Sequence, residues 1–273
     1  MKVPNVHANQ LLGAFTKEAY DKIMPHMTEI DLKLGATVCE AVGLLTHAYF
    51  PQGCVLSLLT VLENGSEIEC GNIGREGAFR LFSTIYDRVS YSRCTVQLQG
   101  PMVQCDIRPL QVMFQSSARL QNLFVSYSET LLSQVMQSVA CNSLHSVEKR
   151  LCRWLLMMHD RAEEENLTYT HEFLSRIMGA NQTSVTLAAQ SLQNRGPTSY
   201  RRSMMQVLDR PGLEGATCAC YMTAEERFDA FSEPAVNGHP ENQRQPKLSG
   251  GAVKLILTSL SLSPQVGTYA QQK

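Results

Sequence analysis

The chain has 273 residues, 44% of them hydrophobic and 18% charged, with a formal net charge of −1 at pH 7. This composition is typical of one large or two ordinary globular domains, and it excludes wholesale disorder and a strong overall attraction to nucleic acid. Because no apolar run is long enough to span a membrane and no secretory signal is evident, we expect a cytoplasmic chain with no membrane partner.

The N-terminal part of the sequence predicts one helix followed by several short strands. Apolar residues recur at helical intervals over residues 5–28, and Pro25 ends that run. From Ile30 the apolar period changes to two, and Asn64-Gly65 between two later runs is a strong hairpin signal. So many short strands indicate a small antiparallel β-barrel or jelly roll. The strand-like runs are 30–34, 48–50, 55–62, 66–71, 92–98 and 102–107.

Residues 116–142 carry the longest helical pattern. Apolar residues fall at steps of three and four along about seven turns, a length of roughly 40 Å. A helix this long favours pairing with a second copy of the chain, and packing against its own barrel is the alternative. We therefore expect a homodimer formed along this seam. The expected interface residues are Leu120, Leu123, Phe124, Tyr127, Leu131 and Val135.

A further helix is predicted over residues 146–161, and two short helices follow within 167–196. Thr170 is a good N-cap for the first of the two, Gly179 ends it, and Asn181 caps the second. Two helices joined by a short turn with Gly indicate a helix-turn-helix whose second helix enters the major groove of DNA. An ordinary helical hairpin in a core is the alternative.

Candidate DNA contacts lie on the second of these helices and on a hairpin after it. Two strand-like pieces, 198–202 and 204–208, predict a wing with arginines near its tip to meet phosphates. Residues 142–221 hold nine Lys and Arg against eight Asp and Glu, so DNA contact must depend on local placement rather than bulk charge. The candidate contacts are Thr170, Asn181, Gln182, Thr183, Ser184, Thr186, Leu187, Arg201 and Arg202.

The C-terminal end differs in composition from the rest. Pro211-Gly212 is expected to break the chain before a last short helix that ends near Tyr221. Residues 222–273 are rich in Pro, Gln, Asn, Gly and Ser, and we expect them to form a poorly ordered tail.

The nine cysteines are scattered, and none has the CxxC spacing of a zinc or iron–sulfur site. Their odd number and apolar surroundings indicate reduced, buried thiols. Cys218 and Cys220 form the one close pair, which we interpret as two thiols beside a helix end rather than a metal or redox site. The sequence therefore predicts no metal site and shows no evident cofactor.

Four segments, taken together and in this order, resemble the Crp/Fnr family of bacterial transcription regulators. They are HAYFPQGCVLSLLTVLENGSEIECGNIGREG, ACNSLHSVEKRLCRWLL, LTYTHEFLSRIMGANQTSVTLAAQSLQNRG and SYRRSMMQVLDRPGLE. The resemblance covers about residues 8–221 and implies an α+β chain that binds a roughly palindromic operator as a homodimer. The implied parts are a cyclic-nucleotide-binding-like sensor domain (1–115), a dimerisation helix (116–142), a winged helix-turn-helix (143–221) and the tail (222–273).

Departures from the family pattern indicate that the effector is not a cyclic nucleotide. Family members that bind one carry a Gly-Glu pair and an Arg-Ser pair, whereas here Arg80-Leu81 follows Phe79 and the second pair is reversed as Ser92-Arg93. We therefore expect an unknown small-molecule signal other than cyclic AMP. The residues expected around the effector pocket are Gly74, Arg75, Glu76, Gly77, Arg80, Ser92 and Arg93.

The operator is also expected to differ from that of the best-known members. At the base-reading positions this sequence has Gln182, Thr183 and Leu187, and Gln pairs well with adenine, which favours an operator with more A·T. The leading hypothesis is thus a transcription regulator whose partners are double-stranded DNA, its own copy and RNA polymerase. A ligand-sensing module that acts through protein contacts without DNA binding is the alternative. A cupin-type enzyme is not expected, since His26 and His47 lack HxH spacing.

Overall fold

The described part of the chain starts with two short helices where the sequence predicts one. A computed structural model describes residues 8–43, 46–81, 90, 92–162, 166–201 and 204–223, all of them in one compact unit. Helices α1 (Gln10–Gly13) and α2 (Lys17–Ile23) are separate because Thr16 caps the second, where its side chain accepts a hydrogen bond from the Ala19 backbone N–H. A 3-10 turn, Met24–His26, then leads into the first strand.

The described residues of the N-terminal part form seven strands, and six of them were predicted. The strands are β1 (Met27–Leu32), β2 (Thr37–Cys39), β3 (His47–Pro51), β4 (Val55–Val61), β5 (Glu67–Ile73), β6 (Arg93–Leu98) and β7 (Gly100–Asp106). Only β2 was missed, because three residues are too few to show a period. The predicted hairpin between β4 and β5 is confirmed: Gly65 has φ of +80° and the Leu62 N–H donates to the Ser66 carbonyl at 2.8 Å.

These strands form two antiparallel sheets that do not close into a barrel, so of the predicted barrel or jelly roll it is the two-sheet arrangement of a jelly roll that fits. One sheet has the order β1-β7-β3 and the other β2-β6-β4-β5, and the described strands of one sheet do not pair with those of the other. Instead the sheets bury their apolar side chains against each other: Leu56 and Val96 of one lie in the same core as Met102 of the other. The α+β class and the order of elements are as expected.

The long helix is confirmed and is preceded by a separate helix. Helix α3 (Ile107–Ser116) ends at Ser117, whose side chain caps helix α4 (Ala118–Leu144) by accepting from the Leu120 N–H at 3.3 Å. Among the described residues, no helix is long and apolar enough to cross a membrane.

The C-terminal part combines four helices with a small sheet. Its elements are α5 (Val147–Arg161), β8 (Asn166–Thr168), α6 (His171–Met178), α7 (Gln182–Arg195), β9 (Thr198–Arg201), β10 (Met204–Val207) and α8 (Arg210–Ala216). The three strands have the order β8-β10-β9. Pro211 and Gly212 lie inside the first turn of α8 instead of breaking the chain, because proline is tolerated at a helix start and Asp209 accepts from the Gly212 N–H at 3.0 Å. The predicted tail, from residue 224 onward, lies outside the described residues.

Candidate nucleic-acid interface

The predicted helix-turn-helix is formed by α6 and α7, and each of its ends has a local chemical cause. The Thr170 hydroxyl accepts from the Phe173 N–H at 3.0 Å and starts α6. Gly179 adopts the left-handed conformation, with φ of +55°, that ends α6. The Asn181 side chain accepts from the Thr183 N–H at 2.8 Å and starts α7. These features fix where the two helices begin and end.

Helix α7 presents a polar face to solvent at its N-terminal end. Its apolar residues Val185, Ala188, Ala189 and Leu192 are buried in the core of this part of the chain. Gln182, Thr183 and Ser184 are exposed, and Leu187 is 61% exposed. The polar side chains of such a face can hydrogen-bond base edges, and its one apolar group can contact a thymine methyl group.

Thr186, by contrast, points back into the protein. It is half-buried, and its hydroxyl lies 3.0 Å from Nδ1 of His171 on α6. The imidazole of His171 stacks on Tyr200 with ring centroids 4.2 Å apart, and burial lowers its pKa. Thr186 therefore joins α7 to α6 and to the wing.

The wing is an antiparallel hairpin of β9 and β10, attached to α7 at its base. Met205 pairs with Tyr200 in this hairpin, and the Tyr200 N–H donates to Oε1 of Gln193 at 3.2 Å. Arg201 is exposed at the end of β9. Arg202, the other predicted phosphate contact, lies outside the described residues.

Two other arginines of the helix-turn-helix are already paired with glutamates of the same chain. Arg195, at the end of α7, donates to Glu148 at 2.6 Å. Arg176 on α6 lies 3.7 Å from Glu67 on β5. Among the described candidate contacts, the positive charge open to a phosphate is that of Arg201.

The turn of the helix-turn-helix lies directly against the sheet domain. A Cβ atom added to Gly179 would stand 2.6 Å from Cδ1 of Ile68 on β5, so any side chain there would displace Ile68. Nearby, the hydroxyl of Tyr169 donates to the Gln97 carbonyl at 2.9 Å, and Val55 and Leu59 of β4 are buried in the same core as Trp154.

A carboxyl group lies at the same junction. Burial raises the pKa of Glu69 to about 7, although hydrogen bonds from Ser57 and Gln97 and the charge of Arg153 favour its ionised form. The Ser57 hydroxyl donates to Glu69 at 2.6 Å and the Gln97 amide at 2.5 Å.

The predicted effector-pocket residues are engaged with the protein itself. Glu76 forms a bidentate ion pair with Arg161 of α5: Nη2 lies 2.6 Å from Oε1 and Nε lies 3.4 Å from Oε2. The same carboxylate accepts from the Gly74 N–H at 2.9 Å. Gly77 lies against the ring of Tyr127, where a Cβ would not fit, and Arg75 is exposed.

The remaining three residues of this set lie apart from Glu76. Arg93 donates to Glu40 at 2.7 Å and also pairs with Glu67. Arg80 is buried over the Phe79 ring and donates to the Ser92 carbonyl at 3.3 Å. The set is thus dispersed over separate ion pairs and contacts. The segment between Leu81 and Ser90, which belongs to the same stretch of sequence, lies outside the described residues.

The residues expected in the dimer interface lie on the side of α4 that packs against its own chain. Leu120, Phe124 and Tyr127 are buried in the core of their own chain, and Leu123 and Leu131 pack against buried cores of that chain. Val135 lies against Gly71 of β5. The predicted seam is therefore also the face by which α4 packs on the sheet domain.

A different stripe of α4 is exposed. Val125, Leu132, Met136 and Val139 are each more than half exposed, and three of them are seven residues apart. This spacing was available in the sequence, but the stronger apolar pattern on the other side of the helix obscured it. The Glu76–Arg161 pair, in contrast, gave no local signal, because its members are 85 positions apart.

The comparisons with known proteins agree with this architecture. Residues 149–216, from α5 to the end of α8, match the family model of the Crp-like helix-turn-helix domain. The chain is similar to the structure of FixK2 from Bradyrhizobium japonicum, with a TM-score of 0.60 and 12% identity over 71% of this chain and 98% of that one. A search of curated proteins gave no match.

Two further solved structures share the fold. A Crp/Fnr-family transcriptional regulator from Eubacterium rectale has a TM-score of 0.62 and 17% identity, over 77% of this chain and 98% of that one. The c-di-GMP-responsive regulator CLP from Xanthomonas campestris has a TM-score of 0.54 and 14% identity, over 70% and 99%. Transcription regulators of the Crp/Fnr family bind DNA and are not enzymes. The chain therefore contains a Crp-like helix-turn-helix domain, placed after a two-sheet domain and a long helix, and shares the fold of Crp/Fnr regulators.

Proposed function

We propose that this regulator reads its operator with the N-terminal end of α7. The observation that carries this proposal is the exposed row of Gln182, Thr183 and Ser184, which two caps and the Gly179 turn hold in a fixed orientation. Gln182 has the amide geometry to pair with adenine N6 and N7, and Thr183 can bond a base edge or contact a thymine methyl group. Leu187 adds an apolar contact. Because these side chains suit adenine and the thymine methyl group, we expect an operator richer in A·T.

Phosphate contacts flank these base contacts. Arg201 at the end of β9 and Arg202 after it supply positive charge on the wing. Thr170 and Asn181 lie at helix N-termini, where backbone N–H groups and the helix dipole favour a phosphate oxygen. Thr186 acts indirectly in this scheme, because its hydroxyl is bonded to His171.

The protein acts as a homodimer that pairs through the exposed stripe of α4. Ala118, Val125, Leu132 and Val139 repeat at intervals of seven, which is the spacing of one core position in a coiled coil. β-branched Val at this position favours two parallel strands. A second copy of the chain is the partner that such a stripe fits, since its own sheets already cover the opposite face. Two recognition helices would then meet two half-sites.

The signal passes between the sheet domain and the DNA-binding part through their direct contacts. The Glu76–Arg161 ion pair and the packing of Ile68 on Gly179 link β5 and the loop after it to α5 and to the turn of the helix-turn-helix. A small molecule bound in the sheet domain would alter these contacts and thereby the angle of α7. A cytoplasmic location and contact with RNA polymerase belong to the same proposal.

A gel-shift titration with genomic fragments at two salt concentrations tests this function. We expect specific retardation that weakens as the salt concentration rises, because phosphate contacts release counterions. Gln182→Ala should change the preference at particular base pairs, while the matched control Gln190→Ala, exposed on the same helix but away from its N-terminus, should keep the operator preference. If both variants and the unmodified protein bind all fragments alike, α7 does not read bases.

A further inference from the structure

Three thiols and one imidazole converge where the end of α4 meets the segment after α8. Cys141 lies in the last turn of α4, His145 directly follows that helix, and Cys218 and Cys220 follow α8. Their ligand atoms all lie within 4.8 Å of one another. The sulfurs of Cys141 and Cys218 are 3.6 Å apart, and the Cys220 sulfur is 3.6 Å from Nδ1 of His145. The fold thus adds two potential ligands, 75 and 77 positions earlier in the chain, to the close cysteine pair.

The two 3.6 Å distances match the edges of a metal tetrahedron. Bonds of about 2.3 Å from zinc to sulfur and about 2.0 Å to nitrogen, at tetrahedral angles, place neighbouring ligand atoms roughly 3.5–3.8 Å apart. Three thiolates with one imidazole are a ligand set of structural zinc sites. We propose that Cys141, His145, Cys218 and Cys220 bind one zinc ion.

Two other uses of the same thiols fit the geometry less well. An iron–sulfur cluster distributes its four protein ligands over two or four iron atoms and so needs ligands spread more widely than this group. A disulfide between Cys141 and Cys218 would use two of the four side chains and would leave Cys220 and His145 converging on nothing. A single small ion uses all four.

The surroundings suit a closed, structural site. All three cysteines are buried, and the Gln137 amide donates to the Cys220 sulfur at 3.0 Å, as an outer hydrogen bond to a metal-bound thiolate does. Three thiolates and one Zn²⁺ carry a net charge of −1. The guanidinium of Arg153, which acts electrostatically on Cys141, has two buried nitrogens without an acceptor among the described residues and can balance that charge.

A zinc ion here would tie the dimerisation helix to the far end of the DNA-binding part. The chain between its ligands holds α5 to α8, including both helices of the helix-turn-helix. The ion would therefore close a loop around that whole part and hold its last helix against α4. This assignment concerns metal binding alone and stands whether or not the protein binds DNA.

Metal analysis of the full-length protein, purified without added chelator, tests the proposal. We expect about one zinc per chain in the unmodified protein, and less than about a tenth of that in Cys218→Ser and Cys220→Ser. Cys70→Ser, which changes a partly buried cysteine on β5, is the matched control and should keep its zinc. Zinc-free protein that takes up neither Zn²⁺ nor Co²⁺ after reduction would overturn the proposal, and so would iron with inorganic sulfide or a Cys141–Cys218 disulfide in anaerobically prepared protein.

A measurement on the unmodified protein removes any dependence on how the variants fold. Titration with a mercurial thiol reagent in the presence of a coloured zinc chelator should release the zinc in step with the modification of three thiols. Replacement by Co²⁺ should give the visible absorption of a tetrahedral thiolate site. Zinc that is released before any thiol reacts, or a Co²⁺ spectrum typical of octahedral oxygen ligands, would show that the ion lies elsewhere.

Discussion

Replacing Arg161 by methionine should destabilise the protein strongly. The guanidinium is only 12% exposed and the Glu76 carboxylate 9% exposed. Besides its two contacts with Glu76, Arg161 donates to Oδ1 of Asn72 at 2.8 Å. Methionine keeps the aliphatic bulk but leaves a buried carboxylate whose remaining hydrogen bond comes from the Gly74 N–H.

The magnitude follows from the burial of the pair. Breaking a buried ion pair by removing one partner costs about 3–5 kcal/mol. Because Arg161 keeps slight access to solvent, we expect the lower end, about 3 kcal/mol, which corresponds to a fall of roughly 6–12 °C in Tm for a chain of this size. The double variant Arg161→Met/Glu76→Gln should recover about 2 kcal/mol, since it leaves no unpaired charge.

Urea and thermal unfolding, followed by fluorescence, measure these changes. The single tryptophan, Trp154, lies in the C-terminal core with its ring 4.8 Å from that of Tyr169, so its emission reports unfolding next to the pair. Arg176→Met is the matched control: Arg176 is 53% exposed and 3.7 Å from Glu67, so its loss should cost at most about 1 kcal/mol. A loss below about 1 kcal/mol for Arg161→Met, or strictly additive effects in the double variant, would refute the reasoning.

Three further predictions concern assembly, pH and DNA. Leu132→Glu should convert the proposed dimer to a monomer, as measured by light scattering. The control Val112→Glu, at a similarly exposed position on α3, should leave the mass unchanged. A Leu132→Glu protein that stays dimeric would place the interface elsewhere. Because the folded-state pKa of Glu69 is raised to about 7 from 4.5, the stability that its neutral form provides is complete below about pH 4.5 and is lost as pH rises through 7. Glu69→Gln should therefore match the unmodified protein near pH 4.5 and exceed it at pH 8, by up to about 3 kcal/mol in urea unfolding, and parallel pH profiles would contradict this. Arg201→Ala should weaken binding to every DNA fragment alike in gel shifts and reduce the salt dependence, while selective loss on some sequences would mean that it contacts bases.

Local chemistry explains which parts of the fold could be predicted. Caps and turn residues act within a few positions, so Thr170, Gly179 and Asn181 marked their helix ends correctly, and Asn64-Gly65 marked its hairpin. The apolar seam of α4 likewise established a long helix.

The sequence does not show which surfaces of distant elements contact each other. Strand pairing depends on contacts distant in the chain, so the choice between a closed barrel and two open sheets had no local signal. The seam of α4 showed that one side of the helix is apolar, but not that this side faces its own sheets. Glu76, one of the residues predicted around the effector pocket, likewise has no local signal for its ion pair with Arg161, because α5 brings that arginine from far along the chain.

The contact between Gly179 and Ile68 limits how freely the two parts of this regulator can be exchanged with those of relatives. The glycine serves both the left-handed end of α6 and the close approach of β5. A chimaera that joins this sheet domain to a foreign helix-turn-helix would need a glycine at the turn, and a foreign sheet would need a side chain shaped like that of Ile68 opposite it. Compatible donors must therefore match at this pair of positions, whatever linker joins the two parts.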